Sequence, residues 1–412
     1  MTKKSLVLCL LAFTGTMFAQ QGSVPKGVPS LNHVFLIMME NHGYGEILNN
    51  PYAPFTNSYA LSSNLATNYF AVAHPSLTNY LETVGGSNFG VLDDNAPDWH
   101  NGSCEPNLAT GIPNLESSTN NICPIAGSGT EAATPALDCS NEVSGPPCEM
   151  NLDGLMSYPA STTTLGITIA DQLASAGKTW KTYQENLPLT GPDTVNYSDG
   201  EFTNNSTIPP CPLCNPALTS GDVVQLYAAK HNPFVYFQEV QNGTNPLVSY
   251  AQISAFDGAG GLWWDLATGK PPALSYIVPN QCNDQHGRGN STAFCNFDPS
   301  DNGTQGGLNP ALIQLGDQAI QKIVNAIHAS SVWNKGKNAI VVVWDENDYS
   351  VQPINNQVMT IVDTNYGFHK ITSNVFYDHF SLLRTLEGGF KLPCLNHACD
   401  ASTQAMTDLF GD

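Results

Sequence analysis

Hydrophobic positions along the chain gather into short unbroken runs. Val34–Met39, Leu274–Val278 and Ala339–Trp344 are apolar at nearly every position, and each ends in a polar cluster. Runs of this kind predict strands buried on both faces, as in a parallel sheet covered by helices. Thr179–Tyr183 and Phe234–Phe237 predict two further strands. Elsewhere the spacing is helical. Ser76–Thr83 lies between Pro75 and the pair Gly85-Gly86, a start and a stop. Ile169–Leu173 precedes a glycine stop at Gly177, and Leu312–His328 keeps helical spacing throughout. Helices alternating with buried strands predict an α/β fold, a three-layer α/β/α sandwich around a mostly parallel sheet.

Two stretches lack this patterning. Residues 87–161 and 195–220 are rich in Asn, Pro, Ser, Gly and Cys, and read as disulfide-stapled loop insertions lying over the core. With no internal repeat and no long linker, residues 20–412 are expected to form one domain with these insertions. Residues 1–19 carry Lys3 and Lys4, an apolar run from Leu6 to Phe13, and small residues toward Ala19, the layout of a secretory signal peptide. No later stretch reaches the ~18 apolar residues of a transmembrane helix. The expectation is a soluble protein, secreted or periplasmic.

Composition adds two constraints. Of eleven cysteines, ten remain once Cys9 of the leader is set aside, an even number that favours disulfides in an exported protein. Connectivity stays open, although short loops point to Cys282–Cys295 and Cys394–Cys399. Cys211 and Cys214 have zinc-knuckle spacing but no second half, and read as disulfide cysteines. The formal charge is −21, which repels nucleic acid and anionic membrane surfaces. An anionic substrate would need a local source of positive charge.

Three polar clusters follow the buried runs: Glu40-Asn41, then Asn280 with Asp284 and His286, then Asp345-Glu346-Asn347-Asp348. Ligands of open α/β sheets bind at the carboxyl ends of strands, where such clusters converge. Carboxylates and amides of this kind suit Mg, Ca or Mn, and added histidine admits Zn or Fe. His74-Pro-Ser-Leu-Thr-Asn-Tyr80 sets the Ser76 hydroxyl at a helix N-terminus, where free N–H groups favour an anion. By itself the segment is better described as an ordinary N-cap. A metal beside it would lower the hydroxyl's pKa and make it a nucleophile. His33 and His42 read as surface residues. Asp298–Gly303 reads as a turn rather than a calcium loop, because Asn309 stands where the bidentate Glu is required.

In order along the chain stand Leu36-Ile-Met-Met-Glu-Asn41, Ala73-His-Pro-Ser-Leu-Thr-Asn-Tyr-Leu81, Lys230-His-Asn-Pro-Phe234, Val343-Trp-Asp-Glu-Asn-Asp348 and Tyr377-Asp-His-Phe-Ser-Leu-Leu-Arg-Thr385. The set resembles the bacterial and fungal acid phosphatase/phospholipase C phosphoesterase family of the alkaline phosphatase-like superfamily. The resemblance runs from about residue 31 to 410, outside the two insertions. It implies an alkaline phosphatase-like fold and one divalent metal held by Glu40, Asn41, Asp345 and Glu346. It further implies Ser76 as the nucleophile that becomes phosphorylated, and His286, His379 and His231 as catalytic histidines at the phosphate. Asn79, His74 and Asp284 would bind substrate. Glu40-Asn41 stands where the two-zinc enzymes of the superfamily carry a single Asp, so one tightly held metal is expected. The Cys/Ser-x-Pro-x-Arg signature of sulfatases is absent.

The expected function is a secreted acid phosphatase hydrolysing phosphate monoesters, its partner a small phosphorylated substrate. The alternatives are a phospholipase C acting on a phospholipid headgroup diester, or a catalytically silent binding protein of the same fold. Few cations and no evident amphipathic membrane helix favour the first.

Overall fold

The computed structural model describes residues 21–74, 76–89, 167–187, 227–237, 239–240, 243–287, 310–347 and 356–411. The expected leader and the 195–220 insertion lie outside these residues, as does all but 87–89 of the first insertion. Cys211, Cys214, Cys295, Asp348 and the Asp298–Gly303 turn also lie outside them.

In chain order the elements are β1 (His33–Met39), α1 (Tyr44–Ile47), α2 (Pro54–Ser62), β2 (Asn64–Ala66), β3 (Tyr69–Phe70), α3 (Ser76–Gly85), α4 (Ile169–Ser175), β4 (Trp180–Gln184), β5 (Ile253–Ala255), α5 (Leu262–Thr268), β6 (Leu274–Val278), α6 (Pro310–Ala329), β7 (Asn338–Trp344), β8 (Thr360–Thr364), β9 (Thr372–Ser373), β10 (Tyr377–Asp378), α7 (His379–Phe390) and α8 (Thr407–Phe410). The main sheet has the order β5-β4-β6-β1-β7-β8-β2-β9. All its pairings are parallel except the two made by β8, which runs against both β7 and β2.

The sheet is parallel because its strands are apolar on both faces. Val34 to Met39 and all of β7 are buried, so helices must cover both sides. One helical group packs α6 against α2 and α5; another packs α3 against α7 and α4. Each fully buried Val, Leu, Ile or Phe in these strands contributes about 1.5–3 kcal/mol of burial. The fold is the α/β class read from the pattern.

One predicted strand is absent. Pro233–Tyr236 forms a 3-10 turn, buried against α3, instead of an extended strand. Pro233 removes a ladder donor and fixes φ at a helical value, which overrides the β preference of Phe-Val-Tyr-Phe. Cys394 and Cys399 form the expected short-loop disulfide, and Cys282 is also disulfide-bonded.

What matters for chemistry is the trio β6-β1-β7 at the centre. Met39 pairs with Trp344, so Glu40 and Asp345 leave the sheet side by side. The loop after β6 is pinned over the same edge. Asn280 Oδ1 accepts from the N–H groups of Cys282 and Asn283, and Trp344 Nε1 donates to Gln285 Oε1 at 2.8 Å. Gln285 holds φ at 85° and packs onto Gly316 of α6. A Cβ at Gly316 would sit 2.2 Å from Gln285 Cγ, so only glycine lets the helix approach this loop.

Candidate active site

Ser76 opens α3, and its hydroxyl lies between two carboxylates. Oγ stands 3.2 Å from Glu40 Oε2 and 3.3 Å from Glu346 Oε1, with all three side chains nearly sealed from solvent. Asn79, one turn along the helix, ties the approach to Ser76 together. Its Oδ1 accepts from the N–H groups of Val72 and Ala73, while Nδ2 donates to Ala73 O at 2.6 Å and Glu346 Oε2 at 3.3 Å. His74 Nδ1 meets Glu346 Oε2 at 2.7 Å, and its Nε2 meets Asn347 Oδ1 at 3.1 Å. In this geometry Asn79 and His74 are the scaffold of Glu346 and of the Ser76 turn.

A second group stands on the far side of Glu40. His231 Nε2 is 3.0 Å from Glu40 Oε1, and its Nδ1 is 3.4 Å from Asp284 Oδ2. Burial disfavours the His231 cation, but the Glu40 charge and the bonds to Asp284 and Glu40 outweigh it, raising its pKa to about 9. Burial likewise disfavours the Glu40 anion; the His231 charge and hydrogen bond, aided by Lys230, reverse the balance and hold that carboxyl below the usual range. Asp284 is pushed up to about 7 by burial, against the pull of His231.

His286 is partly exposed and its ring lies 5.5 Å from that of His231. Its Nδ1 donates to Gly287 O, and Nε2 accepts from Lys230 Nζ at 3.3 Å. Desolvation and the Lys230 ammonium push its pKa down to about 4, so it is a neutral ring there. Glu40, His231 and His286 each offer one ligand atom within 4.8 Å of the others, a geometry able to hold a metal ion.

Asp345 Oδ1 accepts from the Asn41 N–H at 3.0 Å, while its buried Oδ2 has no hydrogen-bond partner among the described residues. Burial, then repulsion from Glu40 and Glu346, raises its pKa well above the usual value. His379, at the start of α7, backs this residue. Its Nε2 donates to Asp345 O at 2.7 Å, and its Nδ1 accepts from Tyr69 OH at 3.0 Å. Burial pushes His379 down to about 4. Both its nitrogens are therefore used within the protein.

Thus the structure brings Glu40, Asn41, Ser76, Asn79, His231, Asp284, His286, Asp345 and Glu346 to one edge, with His74 and His379 behind the carboxylates. Asn280 instead builds its loop, donating to Asn186 Oδ1 at 2.8 Å. His42, read from the sequence as a surface residue, is 3 % exposed and bonds back to Glu40 O. Lys230, Tyr69 and Tyr80 were not singled out. Lys230 supplies the local positive charge that the composition demanded, and its place beside His231 in the Lys-His-Asn-Pro-Phe segment was the available signal.

A serine at a helix start, flanked by buried carboxylates, histidines and one lysine, belongs to a hydrolase acting on phosphoric ester bonds. The chain is a member of the Phosphoesterase family, whose model matches residues 46–296. That span includes Ser76, Asn79, His231, Asp284 and His286; Glu40, Asp345 and Glu346 fall outside it. Among relatives, the chain is 25% identical over 411 residues to a phosphatidylinositol-3-phosphatase of Mycobacterium tuberculosis, covering 99% of this chain and 92% of that one. It is 24% identical over 257 residues to an acid phosphatase of Aspergillus fumigatus, covering 62% of this chain and 37% of that one. A crystal structure described as a protein in the alkaline phosphatase superfamily from Vibrio parahaemolyticus matches with a TM-score of 0.44 and 11% identity, over 92% of this chain and 72% of that one.

Proposed function

We propose that the protein is an exported, metal-dependent phosphatase that hydrolyses phosphate monoesters through a phosphoserine at Ser76. The observation that carries this reading is the hydroxyl of Ser76 at a helix start, within hydrogen-bond distance of both Glu40 and Glu346. A structural N-cap would have no use for two buried carboxylates.

The residues present fit a divalent cation. Glu40, Asp345 and Glu346 crowd together, and Asp345 Oδ2 is buried without a hydrogen-bond partner among the described residues. Like charges at this range repel, and a cation converts that repulsion into binding. Glu40, Asn41, Asp345 and Glu346 would hold it, with Ser76 beside them. When bound, such an ion supplies Lewis acidity that lowers the hydroxyl's pKa and offsets phosphate charge.

The chain's own groups then divide the work. The N-terminus of α3 and Lys230 attract the phosphate. Ser76 Oγ forms the bond to phosphorus, and its proton passes to Glu346. The bond to the leaving oxygen breaks, and that oxygen takes a proton from His231. Water then attacks phosphorus and gives a proton back to His231; the phosphorus–Oγ bond breaks, phosphate departs, and Oγ takes back the proton held by Glu346, which regenerates Ser76. Positioning and charge neutralisation supply most of the acceleration.

Both named relatives are phosphatases, which favours the monoester reading over a phospholipase C. The first relative makes a phosphoinositide monophosphate a substrate worth including. Purified protein assayed side by side on p-nitrophenyl phosphate, a bis-p-nitrophenyl diester, phosphatidylinositol 3-phosphate and phosphatidylcholine tests the proposal. Release from the monoesters alone is expected; diester cleavage with inert monoesters would overturn it.

A further inference from the structure

Tyr80 is fully buried one helical turn after Ser76, on the same face of α3. Its ring lies against the imidazole of His231, with centroids 5.2 Å apart and planes 9° from parallel. On its other flank stands Tyr276, ring centroids 6.4 Å apart, whose hydroxyl is paired with Thr83 Oγ1 at 3.0 Å. The Tyr80 hydroxyl itself has no hydrogen-bond partner among the described residues.

We propose that Tyr80 is a positioning residue for His231, the flat wall that fixes the plane of the imidazole between Glu40 and Asp284. The inference rests on the role given to His231 above. Its two hydrogen bonds run from opposite sides of the ring, Nε2 to Glu40 and Nδ1 to Asp284. Two bonds define a line through the ring and leave it free to tilt about that line. A third constraint, normal to the ring, is needed to set its plane, and the parallel face of Tyr80 supplies it. The same helix that presents Ser76 therefore also orients the group that handles the leaving-group proton. Offset stacking of this kind is worth about a factor of ten in a well-packed site.

The test uses the full chain with an unactivated alkyl phosphate, glycerol 2-phosphate, whose leaving oxygen needs a proton, and four variants: Tyr80→Leu, Tyr80→Phe, His231→Ala, and Tyr80→Leu combined with His231→Ala. Tyr80→Leu is expected to lower kcat about tenfold with little change in KM. Tyr80→Phe, which keeps the face and removes a hydroxyl with no partner among the described residues, should recover most of that loss. In the His231→Ala background, Tyr80→Leu should cost no more than about twofold, because the group it positions is gone. A full tenfold loss in that background means packing alone and overturns this inference, leaving the role of His231 intact. A Phe variant as impaired as the Leu variant overturns it too, in favour of the hydroxyl. Wild-type activity in His231→Ala would overturn both readings. If Tyr80→Leu fails to fold by circular dichroism, Tyr80→Met takes its place with the same expectations.

Discussion

His231 Nε2 lies 3.0 Å from Glu40 Oε1, and both side chains are sealed from solvent. Neither charge would survive there alone. Burial opposes both, and each is held ionised chiefly by the other. The pair couples the two halves of the site, because Glu40 also receives the Ser76 hydroxyl.

A pH dependence follows from that pairing. His231 is raised to about 9 against the effect of burial by Glu40 and Asp284. Its proton is therefore present at neutral and mildly acidic pH and is lost as pH rises through about 9. With His231 as the leaving-group acid, kcat on an unactivated alkyl phosphate should fall along an alkaline limb, which lies below that value in the metal-loaded enzyme because the cation draws on the same Glu40 charge. In His231→Gln the limb should disappear and kcat should be lower throughout, by roughly 10²–10⁴-fold. An unchanged limb in the variant would remove His231 from this role.

Ser76→Ala is expected to lower kcat by at least ~10³ while leaving the melting temperature close to wild type, since it removes the covalent route and only one buried hydroxyl. Acid-quenched wild-type enzyme should carry phosphate on the peptide containing Ser76, detectable by mass spectrometry. A variant keeping a tenth of wild-type turnover would refute the phosphoserine.

Much of this arrangement was legible in the sequence, for a physical reason. Val34–Met39 and Ala339–Trp344 read as strands because burial on both faces leaves an uninterrupted apolar run, and the first polar residue after each run marks the sheet edge. Glu40, Asp345 and the loop of Asp284 could therefore be placed on one edge before any coordinates. Pro233–Tyr236 could not, because its aromatic residues satisfy a strand pattern while one proline decides the backbone. The contact of Lys230 with His286 spans 56 positions and follows from how two loops meet, which no local pattern encodes. The second roles of His74 and His379 were hidden likewise. Their segments resemble phosphate-site motifs, and only the fold shows which ring nitrogens Glu346, Asn347, Asp345 and Tyr69 take up.

Metal removal should separate two effects at Asp345. In the apo protein its ionised form is disfavoured by burial and by Glu40 and Glu346, so Asp345→Asn should raise the melting temperature of exhaustively chelated protein. With a divalent ion present the order should reverse. A ligand at 100 times its Kd stabilises by about 2.7 kcal/mol, and the variant forfeits part of that along with turnover. Chelation of the wild type should abolish activity, and a divalent ion should restore it. Full activity in protein shown metal-free by elemental analysis would mean these carboxylates serve another purpose.

Away from the site, Glu387 of α7 gives a stability prediction with a definite sign. Its side chain is fully buried, Oε1 accepts from the Leu395 N–H at 2.8 Å, and Oε2 has no hydrogen-bond partner among the described residues. Burial raises its pKa well above the usual value, against the smaller pull of the Leu395 bond and Arg384. A carboxyl raised in the folded state contributes stability below its unfolded value of about 4.3 and loses it as pH rises toward and through its folded value. The wild type therefore carries a penalty at neutral pH that it does not carry at pH 4. Glu387→Gln keeps an acceptor for Leu395 and cannot ionise, and burying a neutral amide costs less than burying a carboxylate. The variant should melt higher than wild type at pH 7–8, by roughly a degree or two per kcal/mol gained in a chain of this size. At pH 4 the difference should vanish or reverse, since the wild-type carboxyl is then neutral and needs no relief. Scanning calorimetry of both proteins across that range measures it, and a difference independent of pH would show that ionisation of Glu387 is not the cause.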